Sequence, residues 1–166
     1  MHIIQIIICL IIKKYPFKKI LTNKCFLFIT LCEPNALQVE KQGYGYVVAS
    51  VGELGGVVPY TTYFARDSYL TKNNDLIKSF RDAIQKGLDF VHNSTDEEVA
   101  KAIIDQFPDT SLKDITNVVK RYRKIEAWPK TTEYKKESFD HLQEIMENAN
   151  ELDKKVSYDK LKYEIK

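Results

Sequence analysis

Cysteine, glycine and histidine are scarce in this chain, and where they sit excludes more than their numbers do. The three cysteines, Cys9, Cys25 and Cys32, fall in the first 32 residues of 166, so no disulfide framework can hold the remainder, which must fold on packing alone. The three histidines, His2, His92 and His141, are far apart, with no H-E-x-x-H and no Cys-x-x-Cys; a zinc or haem centre, and any other cofactor, is not expected. Five of the six glycines lie between Gly43 and Gly56. No Gly-Lys-Ser/Thr follows them, and Gly43-x-Gly45-x-x-Val48 lacks the third glycine of the dinucleotide fingerprint, so the cluster reads as a turn between extended segments rather than a phosphate cradle. Apolar runs are short: Ile3–Ile12, interrupted by Gln5, is too brief to span a bilayer as a helix. Acids are missing from the first 32 residues, whereas Glu33 to Lys166 holds 20 Lys and Arg against 23 Asp and Glu, a net of −3. The part able to fold therefore lacks the basic surplus that binding a nucleic-acid backbone requires.

What is present is a globular composition, with 44% apolar residues, 11% aromatics and 29% charge, of a length suited to about one domain. Two unlike segments make it up. Of residues 1–31, 21 are Ile, Lys, Leu or Phe, and none is Gly, Ala, Val, Asp, Glu or Arg. The positive charge follows the apolar run where a secretion signal wants it in front. Ile29-Thr30-Leu31-Cys32 has the outline of a lipoprotein box, but with Leu where a small residue is needed before the cysteine. Two readings stay open for 1–31: a crude membrane anchor or divergent signal, or a non-native or poorly ordered apolar and basic leader, since these are the residues AT-rich DNA encodes in any frame.

From Glu33 to Lys166 the pattern is α/β. Pro34–Gln42 reads as a short helix with Gly43 past its end. Tyr46–Ser50 is a β-branched strand, Gly52–Gly56 a loop, and Val57–Ala65 a second β-prone run, with Pro59 marking an edge, a crossover or a kink. Beyond Asp67 the pattern is helical. Leu76, Ile77, Phe80, Ala83, Ile84, Leu88 and Val91 recur at helix spacing, with Gly87 on the same stripe. Thr95 with Glu98 and Ser111 with Asp114 are spaced as capping boxes for helices near 96–107 and 112–125. Ala127-Trp128-Pro129 is a break, and Phe139 to Ala149 a last helical stripe. His92 and His141 fall on these helices as structural residues.

Recognition rather than catalysis is what the remaining constellation suits. Glu33 stands at a helix entrance, Gly55 and Gly56 allow close backbone approach, and Tyr60 and Tyr63 offer rings. For Glu33 two roles are open: a carboxylate turned into a cleft to accept N–H groups of a solute, or a capping residue. For the tyrosines the alternative is strand packing, and strand alternation would let at most one of them stack on a ligand.

Glu33-Pro-Asn-Ala-Leu37, Gly52-Glu-Leu-Gly-Gly-Val-Val-Pro-Tyr-Thr-Thr-Tyr-Phe-Ala-Arg66, Phe80-Arg-Asp-Ala-Ile-Gln-Lys-Gly87 and Glu151-Leu-Asp-Lys-Lys155 together resemble the C-terminal part of ABC-importer solute-binding proteins. The nearest subgroup handles thiamine-pyrimidine precursors, riboflavin, and sulfonate or taurine type solutes. The resemblance implies an incomplete, helix-rich lobe of a type II periplasmic-binding-protein fold over 33–166. It implies a small heteroaromatic solute, a permease and its ATPase as partners, and an extracytoplasmic location in full-length relatives. A fungal pyrimidine synthase related to this family is an enzyme with a cysteine-rich motif and an active-site histidine. With the cysteines read as lying outside the resemblance, no enzymatic activity is expected here. The competing expectation is a membrane-associated helical interaction protein without a ligand.

Overall fold

The computed structural model describes residues 5–10 and 27–165. They divide into two compact units. One holds the described residues up to Gly56 together with Asp96–Ala127; the other holds Val57–Thr95 and the described residues from Trp128 onward.

The first unit carries the strands. β1 (Gln5–Leu10), β2 (Leu27–Cys32) and β3 (Gly45–Ser50) form a three-stranded sheet in the order β2-β1-β3. Both pairings are antiparallel, with Cys9 opposite Phe28 on one side and Tyr46 on the other, and a register irregularity between Ile7 and Ile8. β2 thus ends at Cys32, across the compositional boundary, while residues 11–26 of the expected leader lie outside the described residues. Side chains alternate as a half-covered sheet demands. Ile29, Leu31 and Val47 pack on Ala36 of α1 (Asn35–Lys41), whereas Phe28, Tyr46 and Val48 are exposed.

Helix α1 ends as its sequence foretells. Gly43 has φ +69°, its N–H donates to Glu40 O at 2.9 Å, and Tyr44 N–H donates to Val39 O at 3.1 Å, a Schellman closure that needs a left-handed residue. Its start is one residue off, because Pro34 is the N-cap and not the first helical residue. The expected loop at Gly52–Gly56 is instead a helical turn, α2 (Val51–Gly55). Ser50 Oγ accepts the Glu53 N–H at 3.2 Å and so nucleates it. Gly56 ends it at φ +71°, ψ −167°, a conformation open essentially to glycine alone. Later in the same unit, α5 (Asp96–Ile103) runs into a 3-10 turn at Ile104–Gln106, and α6 (Leu112–Lys124) packs on α5. Val99, Ala100, Ile115, Val118, Val119 and Ala127 are buried here.

The second unit is helical: α3 (Asp67–Lys72), α4 (Asn74–Asn93), α7 (Lys136–Asn148) and α8 (Tyr158–Leu161). Val57–Ala65 forms no strand. Tyr60 N–H turns back to Val58 O at 2.9 Å, and Pro59 between them has no N–H to give a ladder. Strand alternation therefore does not govern Tyr60 and Tyr63, and both are exposed. Phe139 is buried beside Tyr134 and Tyr158, whose rings stack at 5.7 Å and 5°. Tyr158 Oη donates to Tyr134 O, and Gln143 Oε1 accepts the Val156 N–H at 2.6 Å, which pins the last helix to α7. No described helix is long and apolar enough to cross a membrane.

Candidate functional site

Glu33 is the most committed of the candidate residues. Its side chain is 0% exposed; Oε1 accepts from Arg121 Nη1 at 2.7 Å, and Oε2 accepts the Leu37 N–H at 3.0 Å. One carboxylate thus caps the first turn of α1 and ties α1 to α6. The other branch of the Arg121 guanidinium binds Glu40 Oε2, while Glu40 Oε1 accepts the Val47 N–H at 3.0 Å. Helix α1, strand β3 and helix α6 therefore converge on one arginine.

The charges respond to this arrangement. Burial pushes the Glu40 carboxyl up, but the Val47 N–H and the Arg121 guanidinium outweigh it and hold it below the usual range. Burial works against the Arg121 charge, and Glu40 and Glu33 outweigh it to raise its pKa. Tyr122, beside Arg121, is pushed well up by burial and by the Glu33 charge, so its hydroxyl stays protonated. A second bridge follows: Lys41 Nζ meets Asp114 Oδ2 at 2.7 Å, and Ser111 Oγ donates to the same oxygen at 2.8 Å while accepting the Asp114 N–H at 3.2 Å. Lys41 and then Ser111 hold Asp114 below the usual carboxylate range. The spacing of Ser111 and Asp114 predicts a reciprocal capping box. Ser111 does cap the helix, and the Asp114 carboxylate turns to Lys41 and the Ser111 hydroxyl.

Gly55 and Gly56 close α2 in this same unit. Tyr60 and Tyr63 belong to the other unit, where Tyr63 meets the Phe80 ring edge-on with centroids 4.9 Å apart. The five candidates are thus divided between the units. Among the described residues, one depression of about 300 Å³ is lined by Glu97, Leu112, Lys113 and Thr116, and another of about 440 Å³ runs along 71–76; none of the five candidates lines either of these. His92 Nε2, on an exposed helix surface, lies 3.1 Å from Pro129 O, and the half-buried His141 has Nδ1 3.9 Å from Glu144. Among the described residues no group of His, Cys, Asp and Glu could hold a metal ion. Reading the sequence missed Arg121 and Glu40, because partners 88 and 81 residues apart leave no local spacing signal.

Comparison with known proteins supplies what the geometry leaves general. The family model described as NMT1/THI5 like matches residues 14–98, about half of the chain. The chain belongs to the NMT1/THI5-like family. A curated relative, "Putative binding protein YtlA" of Bacillus subtilis (strain 168), is 38% identical over 134 residues, which cover 81% of this chain and 40% of YtlA. The chain thus spans well under half the length of that relative. No solved structure matches. The family match supports a periplasmic-binding-protein-like fold, with which this helix-rich chain of few strands is compatible, and the name of the relative points to binding rather than catalysis. Cys25 and Cys32 fall inside the NMT1/THI5-like match, which corrects their placement outside the resemblance. They bring no cysteine-rich motif with them, and Cys32 is a free, exposed thiol.

Proposed function

We propose that this chain supplies part of the solute-binding component of an ABC importer, for a small heteroaromatic solute such as a thiamine pyrimidine precursor or riboflavin. The observation that carries the reading is that the NMT1/THI5-like match, residues 14–98, contains all five candidate residues. In this proposal Tyr60 and Tyr63 offer exposed ring faces for stacking. Gly55 and Gly56 leave the backbone bare of side chains at the end of α2, so a solute can approach it closely. Glu33 takes the framework role, since both its oxygens are committed and its side chain is sealed. Arg121 compensates the Glu33 charge, so the preference for heteroaromatic over sulfonate solutes rests on the rings and not on repulsion by a free carboxylate. The permease and ATPase of an importer are the proposed partners, and the outer side of the membrane the proposed location.

Titration calorimetry on intact YtlA with aminopyrimidines, riboflavin and taurine tests this. The expected outcome is a dissociation constant below about 10 μM, roughly −7 kcal/mol, for one of the heteroaromatic compounds and none measurable for taurine. Tight binding of taurine alone would overturn the solute class, and binding of none of them would overturn the reading.

A further inference from the structure

Helix α4 is 20 residues long and buries none of them. Ile77, Ile84, Leu88 and Val91 are half-buried, whereas Leu76, Phe80, Ala83, Gly87 and Phe90 are exposed. The exposed five are spaced 4, 3, 4 and 3 residues apart, the alternation that keeps one seam facing a partner helix. At 1.5 Å per residue the line runs for about 21 Å. Leu76 is 56% exposed, and Phe80 and Phe90 are each 44% exposed.

Gly87 is the member of this line that its own chain does not explain. Glycine inside a helix costs stability relative to alanine, and its usual reason there is the close approach of another group to the backbone. A Cβ placed on Gly87 would meet nothing within 4 Å. Among the described residues, then, nothing uses the space that the missing side chain leaves, and that space lies on the face that carries the exposed rings.

The order of sizes along the line selects what fills it. Laid against a copy of itself reversed about Ala83, the line sets Leu76 opposite Phe90, Phe80 opposite Gly87, and Ala83 opposite Ala83. The Phe80 ring then meets bare backbone, and the two helices can close at the small central residues. A parallel copy would crowd Phe80 on Phe80 and leave a void between the two Gly87 positions. Charge agrees with the reversed order. Ser79, Asp82 and Lys86 form an exposed polar flank on one side of the line. In an antiparallel pair this flank meets itself reversed, so each Lys86 falls beside Ser79 and Asp82 of the other copy and not beside Lys86.

We propose that α4 is a homodimerisation helix, pairing antiparallel with α4 of a second copy of this chain about a two-fold axis at Ala83, with each Phe80 ring seated on Gly87 of the other copy. Tyr63, edge-on to Phe80 with ring centroids 4.9 Å apart, braces that ring from within its own chain. The contact is isologous and closes at two copies. One helix pair is smaller than the standard interface of about 1,600 Å², so the dissociation constant is expected between about 10 and 100 μM. The pairing rests on the α4 line and not on the solute, so a chain that binds no heteroaromatic compound leaves it standing.

Sedimentation velocity on the full 166-residue chain, from about 2 to 500 μM, reads the monomer–dimer equilibrium directly. Gly87→Leu fills the seat for the ring and should weaken the dimer by about tenfold or more. It should leave the circular dichroism and urea midpoint of the free chain undiminished, since leucine favours helix and meets no neighbour there. Phe80→Ala should weaken the dimer by a similar factor. The double variant Phe80→Ala/Gly87→Leu exchanges large for small across the same contact and should recover most of the affinity. A chain that stays monomeric throughout the range overturns the proposal. So does a dimer indifferent to Gly87→Leu, or a double variant in which the two losses simply add.

Discussion

Removing the Arg121 guanidinium should destabilise the strand-bearing unit more than any surface substitution in it. The argument begins with Glu33, whose side chain is 0% exposed and whose charge has Arg121 as its ion-pair partner at 2.7 Å. Deleting one member of a buried pair leaves an uncompensated charge, which costs about 3–5 kcal/mol. Arg121 is itself 33% exposed, so water can enter the space it vacates, and the low end, about 3 kcal/mol, is expected for Arg121→Met. Glu33→Gln keeps the shape and an oxygen for the Leu37 N–H but gives up a charge-assisted bond, for about 1.5–3 kcal/mol. In Glu33→Gln/Arg121→Met no charge is stranded at position 33. The double variant should therefore be more stable than the sum of the singles implies by at least about 1 kcal/mol. Urea unfolding at pH 7, followed by far-ultraviolet circular dichroism, measures all three. Additivity within about 0.5 kcal/mol would refute the claim that the two side chains act as one unit.

Acid titration should show the other carboxylates. Glu40 and Asp114 are held below their ordinary range in the folded chain, so their contribution is present above about pH 4 and is lost as pH falls through and below it; the urea midpoint should be flat between pH 6 and 8 and decline below about 4.5, less steeply in Asp114→Asn. Burial raises Tyr122 in the folded state, so that contribution is lost as pH rises above about 10, and Tyr122→Phe should flatten the alkaline decline. Glu126 closes α6 at φ +50° in a left-handed position, with Ala127 N–H on Tyr122 O at 2.9 Å; Glu126→Gly should stabilise by about 1 kcal/mol, and a loss of stability would show that the Glu126 side chain matters more than its backbone. The chain alone should bind aminopyrimidines and riboflavin no more tightly than about 100 μM, roughly −5.5 kcal/mol, and submicromolar binding to a monomer would refute its dependence on the rest of a binding protein. β1 lies between β2 and β3, so deleting 1–26 should lower the unfolding midpoint by more than about 10 °C; an unchanged midpoint would make that segment a leader that contributes nothing to the fold.

Where one helix or turn decides its own conformation, the sequence is legible. The stripe on α4, the Ser111 cap, the Schellman glycine Gly43 and the break at Trp128-Pro129 each depend on residues within a turn or two of one another, and each stands where the pattern puts it. At Gly52–Gly56 three glycines argue for a loop, but Ser50 and the Glu53 N–H it accepts suffice to start one helical turn. Val57–Ala65 fails for the opposite reason. Its propensity is read correctly, but β-propensity is satisfied by neighbours on a sheet, and a segment without them stays irregular.

The candidate site divides along the same line. Gly55, Gly56, Tyr60 and Tyr63 are visible as residue types, and so is Glu33 at its helix entrance. Yet the oxygen that would face a solute is met by Arg121, which lies 88 residues away and reaches it only because α6 packs where it does. A capping role and a ligand role leave the same local pattern around a glutamate before Pro34, since both ask for an acid at a helix entrance. They separate at the second oxygen, which a capping residue leaves to solvent and a ligand-binding residue leaves to its solute. Here that oxygen is held by an arginine from the same unit, and the side chain that looked most available for chemistry is the one the fold uses to fasten itself.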